Sequence, residues 1–243
     1  MTGKLLVPVG FLLALTGFLP AHGDTSTTQD LTIEDFESYR DGGLPTRWKY
    51  LQERELQWVE PRHMRENERF FVVEEPGNKY LRAFTHGEAV HLTMVNEREG
   101  FDWDIREYPV LRWDWRARQL PAGASESQES TNDTGLALYV FFSFEGFIIR
   151  RPKGIKYTYS STLPVGTVLK HDKLRVMVVA NGKEGFGEWM QVERNVVEDY
   201  RAVFGGSPPD RPISIRLWSD SDNTDGFGEG DFDNIVLVSA PSP

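Results

Sequence analysis

From residue 31 onward the apolar residues come in short runs broken by Gly, Pro, Asn and Asp. The clearest run is LRWDWRA (111–117). Leu111, Trp113 and Trp115 alternate there with Arg112, Asp114 and Arg116, and successive side chains of an extended chain point to opposite faces. KYTYSS (156–161), LRVMVVA (174–180) and ISIRLWS (213–219) repeat the period of two, and FDNIVLV (232–238) closes the chain as a last strand. GLALYVFFSF (135–144) is apolar at both parities, which suits a central strand covered on each side. Short alternating segments with turn residues between them predict an all-β sandwich or barrel.

Two segments depart from this pattern. In RNVVEDYRAVFGG (194–206), Val196, Val197, Tyr200, Val203 and Phe204 recur at helical spacing. Asn195 can cap the start, Glu198 sits at the capping-box position and Gly205 can end the helix. One short amphipathic helix lying against the sandwich follows. PAGASESQESTND (121–133) has no apolar periodicity. It reads as a mobile connection between strands, either a tolerated insertion or a binding lid.

The first residues read as an export signal. Lys4 precedes an apolar stretch over 5–19, and Ala21-His22-Gly23 offers small residues for cleavage, which predicts a mature start at Asp24. The apolar stretch is short for a membrane span, so no membrane anchor is expected after cleavage. Residues 24–30 form a flexible polar leader, and 31–240 is read as a single β-sandwich domain. The chain has no cysteine and a net charge of −10. Disulfides are therefore excluded, and nucleic acid is an unsuitable partner because phosphate binding leans on clustered Lys and Arg. A periplasmic or secreted location follows.

Two constellations carry candidate chemistry. In the Asp- and Gly-rich stretch 219–237, an EF-hand register starting at Asp220 puts acids at positions one, three and twelve, but Asp225 stands where glycine is required. The stretch is either a solvated turn or a structural calcium site using Asp231 or Asp233 with Glu37. No histidine cluster points to a catalytic metal, and no organic cofactor is expected. The second constellation is a polar strand face. Arg112, Asp114 and Arg116 line one strand, and Lys156, Arg175 and Arg216 occupy polar alternates of others, with Trp218 beside Arg216. If these strands are neighbours they form a cationic ligand-binding face, because arginine forks suit a carboxylate or sulfate on a sugar. The plainer reading is a solvated face with cross-strand ion pairs. Trp113 and Trp115, with apolar neighbours, are expected in the core.

YPVLRWDWRA (108–117), IKYTYSSTLPVGT (155–167), RNVVEDYRAVFG (194–205) and WSDSDNTDG (218–226) resemble a family of exported bacterial proteins catalogued as domain of unknown function 3047. The resemblance spans 36–238 and brings no established activity. DFES (35–38) and DFDNIVL (231–237) are similar to the ends of galactose-binding-like jelly rolls, which include carbohydrate-binding modules and the complex I intermediate-associated domain. This second resemblance implies a jelly-roll β-sandwich and a structural calcium shared by Glu37 and Asp233.

These readings lead to an exported, non-catalytic protein that binds a polysaccharide or oligosaccharide, with an acidic glycan the ligand best suited to the arginines. Two alternatives stay open. A lyase or glycoside hydrolase acting on acidic polysaccharide would use Tyr139, Tyr157 or Tyr159, or acids such as Asp114, Glu145 and Glu188. An envelope-assembly or structural protein would show a closed polar face with every arginine paired.

Overall fold

The computed structural model describes residues 29–52, 55–97, 101–147, 150–183 and 185–240. The expected signal 1–23 and the leader as far as residue 28 lie outside them. Two sheets form a sandwich, as the alternation predicts. In the six-stranded sheet β12 (Met190–Asn195), β7 (Val110–Gln119), β14 (Phe227–Val238), β5 (Asn78–His86) and β4 (Glu68–Glu75) lie side by side in that order. β1 (Leu31–Glu34) pairs with the far end of β14, Leu31 opposite Leu237.

The eight-stranded sheet runs β10 (Val168–His171), β11 (Leu174–Asn181), β9 (Arg151–Ser160), β8 (Thr134–Glu145), β13 (Ser214–Asp220), β6 (Ala89–Val95), β2 (Lys49–Gln52) and β3 (Glu55–Trp58). Its pairings are antiparallel except for β9 with β11. This is the expected jelly-roll β-sandwich. Among the described residues no helix is long and apolar enough to cross a membrane.

The core lies between the sheets. Leu111, Trp113 and Trp115 of β7 meet Leu136, Leu138, Val140 and Phe142 of β8 and Tyr157 and Tyr159 of β9. Trp113 and Trp115 pack edge to face with ring centres 5.5 Å apart, the arrangement that aromatic quadrupoles favour. Trp113 also lies 5.5 Å from Tyr157, and Trp115 lies 5.6 Å from Tyr159. Both tryptophans are thus core residues, as their apolar neighbours suggested.

The helix α1 (Val196–Phe204) forms where its spacing placed it. Asn195 accepts hydrogen bonds from the backbone N–H of Val197 and Glu198, and Gly205 ends the helix at φ 75°. That conformation is open to glycine at little cost. Val196 and Tyr200 face the core, and Tyr200 packs edge-on against Phe142 at 4.8 Å.

The connection 121–133 differs from expectation because it is pinned. Glu126 is fully buried and accepts hydrogen bonds from Thr134 Oγ1 (3.1 Å), Thr158 Oγ1 (2.8 Å) and Ser160 Oγ (2.6 Å). Its carbonyl meets His171 Nε2 at 2.9 Å. The sequence pattern misses this because a single buried carboxylate leaves no periodicity. Glu126→Ala would leave those hydroxyls without their acceptor and is expected to cost roughly 2–3 kcal/mol. A thermal melt unchanged from wild type would show that the carboxylate does not hold the connection.

Candidate functional site

Cross-strand register sorts the expected cationic face into separate places. Arg112, Asp114 and Arg116 lie on the outer face of the six-stranded sheet, while Lys156, Arg216 and Trp218 lie on the outer face of the eight-stranded sheet. Arg175 joins neither group. It pairs with Ile155, a core residue, so it points inward. There its Nε donates to the carbonyl of Val203, and its guanidinium lies 4.7 Å from the Phe204 ring. The last turn of a helix presents unpaired carbonyls that attract a cation, and this draws Arg175 to α1. The single face expected from the sequence therefore does not exist.

On the six-stranded sheet the charges neutralise one another. Asp231 stands between Arg82 and Arg116 in register and is fully buried. Arg82 Nε donates to Asp231 Oδ1 at 2.7 Å, Arg116 Nε donates to Oδ2 at 2.8 Å, and Arg118 reaches Oδ2 at 3.5 Å. Glu75 accepts from Arg116 Nη2 (3.0 Å) and from the Tyr80 hydroxyl (2.8 Å). Arg112 pairs with Asp30 at 3.2 Å, and Asp114 accepts from Gln191 and Asn234. This is the plain reading of charged strand residues, with cross-strand pairs closing the face.

The expected metal ligands already have protein partners, although the Glu37 charge is felt at Asp233. Asp231 is committed to arginines, whose charge would repel a cation. Glu37 Oε1 accepts the Lys79 N–H at 2.8 Å, and Asp233 accepts from Asn78 Nδ2 and the Asn234 N–H, each at 2.8 Å. Burial pushes the Asp233 carboxyl up to about 7, helped by the charges of Asp114 and Glu37. Among the described residues, the carboxylates that gather within 4.8 Å of one another are Asp133, Asp220 and Asp222. That group can hold a metal ion, but both oxygens of Asp133 already accept, from the Asn223 N–H and from Thr224.

The outer face of the eight-stranded sheet is different. Thr93, Arg216, Tyr139 and Lys156 form one cross-strand row, and His91, Trp218, Ala137 and Thr158 form the next. Aromatic rings stack along it. His91 lies 4.7 Å from Trp218 with planes 8° apart, and Tyr139 lies 5.6 Å from Trp218 and 5.5 Å from Phe141. At the rim Trp58 is 46% exposed and Phe144 50% exposed. Lys49 Nζ sits 4.7 Å above the Trp58 ring. A cleft of about 140 Å³ opens beside Arg216, walled by Leu56, Phe144, Pro152 and Ile213.

The polar groups of this face are incompletely paired. His91 Nε2, Trp218 Nε1 and Asp220 Oδ1 are buried without a hydrogen-bond partner. The Trp218 N–H lies near enough to Asp220 to favour its carboxylate, without reaching hydrogen-bond geometry. Burial raises Asp220 to about 7 and lowers His91 to about 3, with the Arg216 charge acting in the same direction on His91. Lys156 is 4% exposed, and its Nζ donates to Thr134 Oγ1 at 2.8 Å. Of the tyrosines considered as proton carriers, Tyr157 and Tyr159 belong to the core. Tyr139 is on this face, but burial raises its phenol above the ordinary value.

The chain matches, over residues 56–236, the family described as "Protein of unknown function (DUF3047)". It belongs to that family. No curated protein matches it. Among solved structures it is similar to the family 11 carbohydrate-binding module of a cellulosomal cellulase of Clostridium thermocellum. That likeness has a TM-score of 0.45 at 11% identity and covers 88% of this chain and 97% of the module. The family 30 module of another cellulosomal cellulase of Clostridium thermocellum gives a TM-score of 0.44 at 12% identity, covering 87% and 98%.

Sequence reasoning missed Thr93, His91, Trp58 and Phe144 of this DUF3047 protein. Each is polar or aromatic in a short strand or at a strand end, and only the order β8–β13–β6–β2–β3 brings them beside Arg216. The one available signal was GLALYVFFSF, whose second apolar parity, Ala137, Tyr139 and Phe141, forms the floor of the site.

Proposed function

We propose that this protein is exported and binds a glycan, without catalysis, on the outer face of the eight-stranded sheet. The observation that carries the reading is the exposed Trp58, which shares a cross-strand row with Lys49, Thr93 and Arg216 next to an apolar cleft lined by Leu56, Phe141 and Phe144. Aromatic faces offer a sugar ring an apolar surface, and a few convergent polar groups fix its orientation. The export part of the reading rests on residues 1–23.

Calorimetry against a panel of polysaccharides and oligosaccharides tests the binding. One or more glycans should bind, and Trp58→Ala should weaken that binding at least about tenfold. Its melting temperature should stay near wild type, since exposed side chains contribute little to stability. No heat at millimolar glycan, or unaltered affinity in Trp58→Ala, would sink the proposal. Incubation with the bound polysaccharide should release no new reducing ends and no unsaturated products. Their appearance would move the reading to a hydrolase or a lyase.

A further inference from the structure

We propose that the glycan carries an oxyanion, a carboxylate or a sulfate, and that Arg216 seats it in the cleft beside β13. This inference rests on the glycan-binding reading and adds the chemical class of the ligand. Arg216 Nε donates to Thr93 Oγ1 at 2.9 Å, and its guanidinium lies 4.9 Å from the Phe141 ring and 5.9 Å from the Trp218 ring. No carboxylate of the described residues pairs with it. Arg82 and Arg116, by contrast, share Asp231, and Arg194 holds Asp199, while Arg69 and Arg175, also partly buried, donate to backbone carbonyls.

Desolvation sets the argument. Taking a cation out of water is costly unless a counter-charge compensates. Burial lowers the Arg216 guanidinium to about 10, which leaves it charged at neutral pH. Among the described residues the Nη donors have no protein acceptor, and a guanidinium presents them as a fork that matches two oxygens of a carboxylate or sulfate. The walls of Leu56, Phe144, Pro152 and Ile213 exclude water from one side, which strengthens attraction to an anion placed there. Lys156, buried in the same cross-strand row, adds a second positive charge behind Tyr139. With a net charge of −10, the molecule as a whole repels polyanions. Selection of an acidic glycan must therefore be local.

The test compares polygalacturonate with its fully methyl-esterified form, and a sulfated galactan with its desulfated form. Wild type, Arg216→Gln, Arg216→Lys and, as a control remote from the face, Arg201→Gln are titrated by calorimetry. Wild type should bind one acidic polymer at least about tenfold more tightly than its neutralised counterpart. Arg216→Gln should abolish that preference, Arg216→Lys should restore only part of it, and Arg201→Gln should keep it. Which polymer responds distinguishes carboxylate from sulfate.

The melting temperature gives a second readout. Removing an unpaired, desolvated cation should leave Arg216→Gln as stable as wild type or more so, whereas loss of a structural arginine would lower it. Equal binding of acidic and neutral polymers, or a preference that survives in Arg216→Gln, would overturn the anion seat while leaving glycan binding intact. Absence of binding to every polymer would overturn the glycan reading itself.

Discussion

Asp231→Ala is expected to destabilise the protein by about 3–5 kcal/mol, the usual consequence of removing one partner from a buried charge network. Asp231 is fully buried, and the guanidiniums of Arg82 and Arg116 converge on its oxygens at 2.7 to 3.2 Å. Without the carboxylate, cations that are themselves mostly buried face each other across β14. Glu75 and Glu229 remain nearby, at 3.0 Å from Arg116 and 3.4 Å from Arg82, but both are partly exposed and compensate poorly. Urea denaturation gives the measurement. A loss below about 1 kcal/mol would mean that water reaches the arginines and that the network is a surface feature. Replacing Arg82 and Arg116 by Met in the Asp231→Ala background should recover much of the loss, because apolar residues of similar volume remove the desolvation problem.

The second large effect concerns pH. Asp233 is buried and its carboxyl is held up to about 7 by desolvation and by the charges of Asp114 and Glu37, against hydrogen bonds from Asn78 and Asn234. A carboxyl raised above its unfolded value binds more protons when folded, so its contribution to stability is present at low pH and is lost as pH rises through about 7. Asp233→Asn removes that titration while keeping an acceptor for the Asn234 N–H. Relative to wild type, the variant should therefore gain stability as pH rises from 5 to about 7 and level off above that. The gain should reach about 1–2 kcal/mol, below the ceiling of roughly 4 kcal/mol that a shift of about three units allows. Asp220 contributes with the same sign, and His91, lowered to about 3, with the opposite sign below its ordinary value. Both are common to the two proteins and cancel in the difference. A difference that stays flat across this range would show that Asp233 is ionised in the folded protein throughout.

These outcomes separate two outer faces that look alike as sequence. Arg116 and Arg216 both occupy polar alternates of Trp-containing strands, yet one is neutralised by Asp231 and the other lies open to a cleft. Substitution should lower stability at the first and binding at the second. Protein stability is a small difference between large terms. Arg216 is partly exposed, so water compensates its charge in the free protein, and the proposed ligand would take the place of that water.

The alternation of LRWDWRA, the covered strand GLALYVFFSF and the capped helix after Asn195 were legible in the sequence, because each is decided by neighbours within a few residues. Parity along a strand places Trp113 inward and Arg112 outward, but it carries no information about which sheet the strand joins. Arg175 shows the limit. Its strand is apolar at both parities, with Met177 and Val179 on the arginine's own side, so parity names no outer face, and the carbonyl of Val203 and the ring of Phe204 hold the guanidinium on the inner side.

The stretch 219–237 shows it again. Its second half offers Asp231 or Asp233 to a structural calcium, but Asp231 is claimed by arginines from β5 and β7, and among the described residues the carboxylates that gather are Asp220 and Asp222 with the distant Asp133. By itself the sequence determined an all-β chain with one capped helix, the strands and their inward tryptophans, and a family. Only the tertiary structure decided which charges meet a partner and which do not, because Coulomb energy and desolvation depend on distances and burial that strand pairing sets.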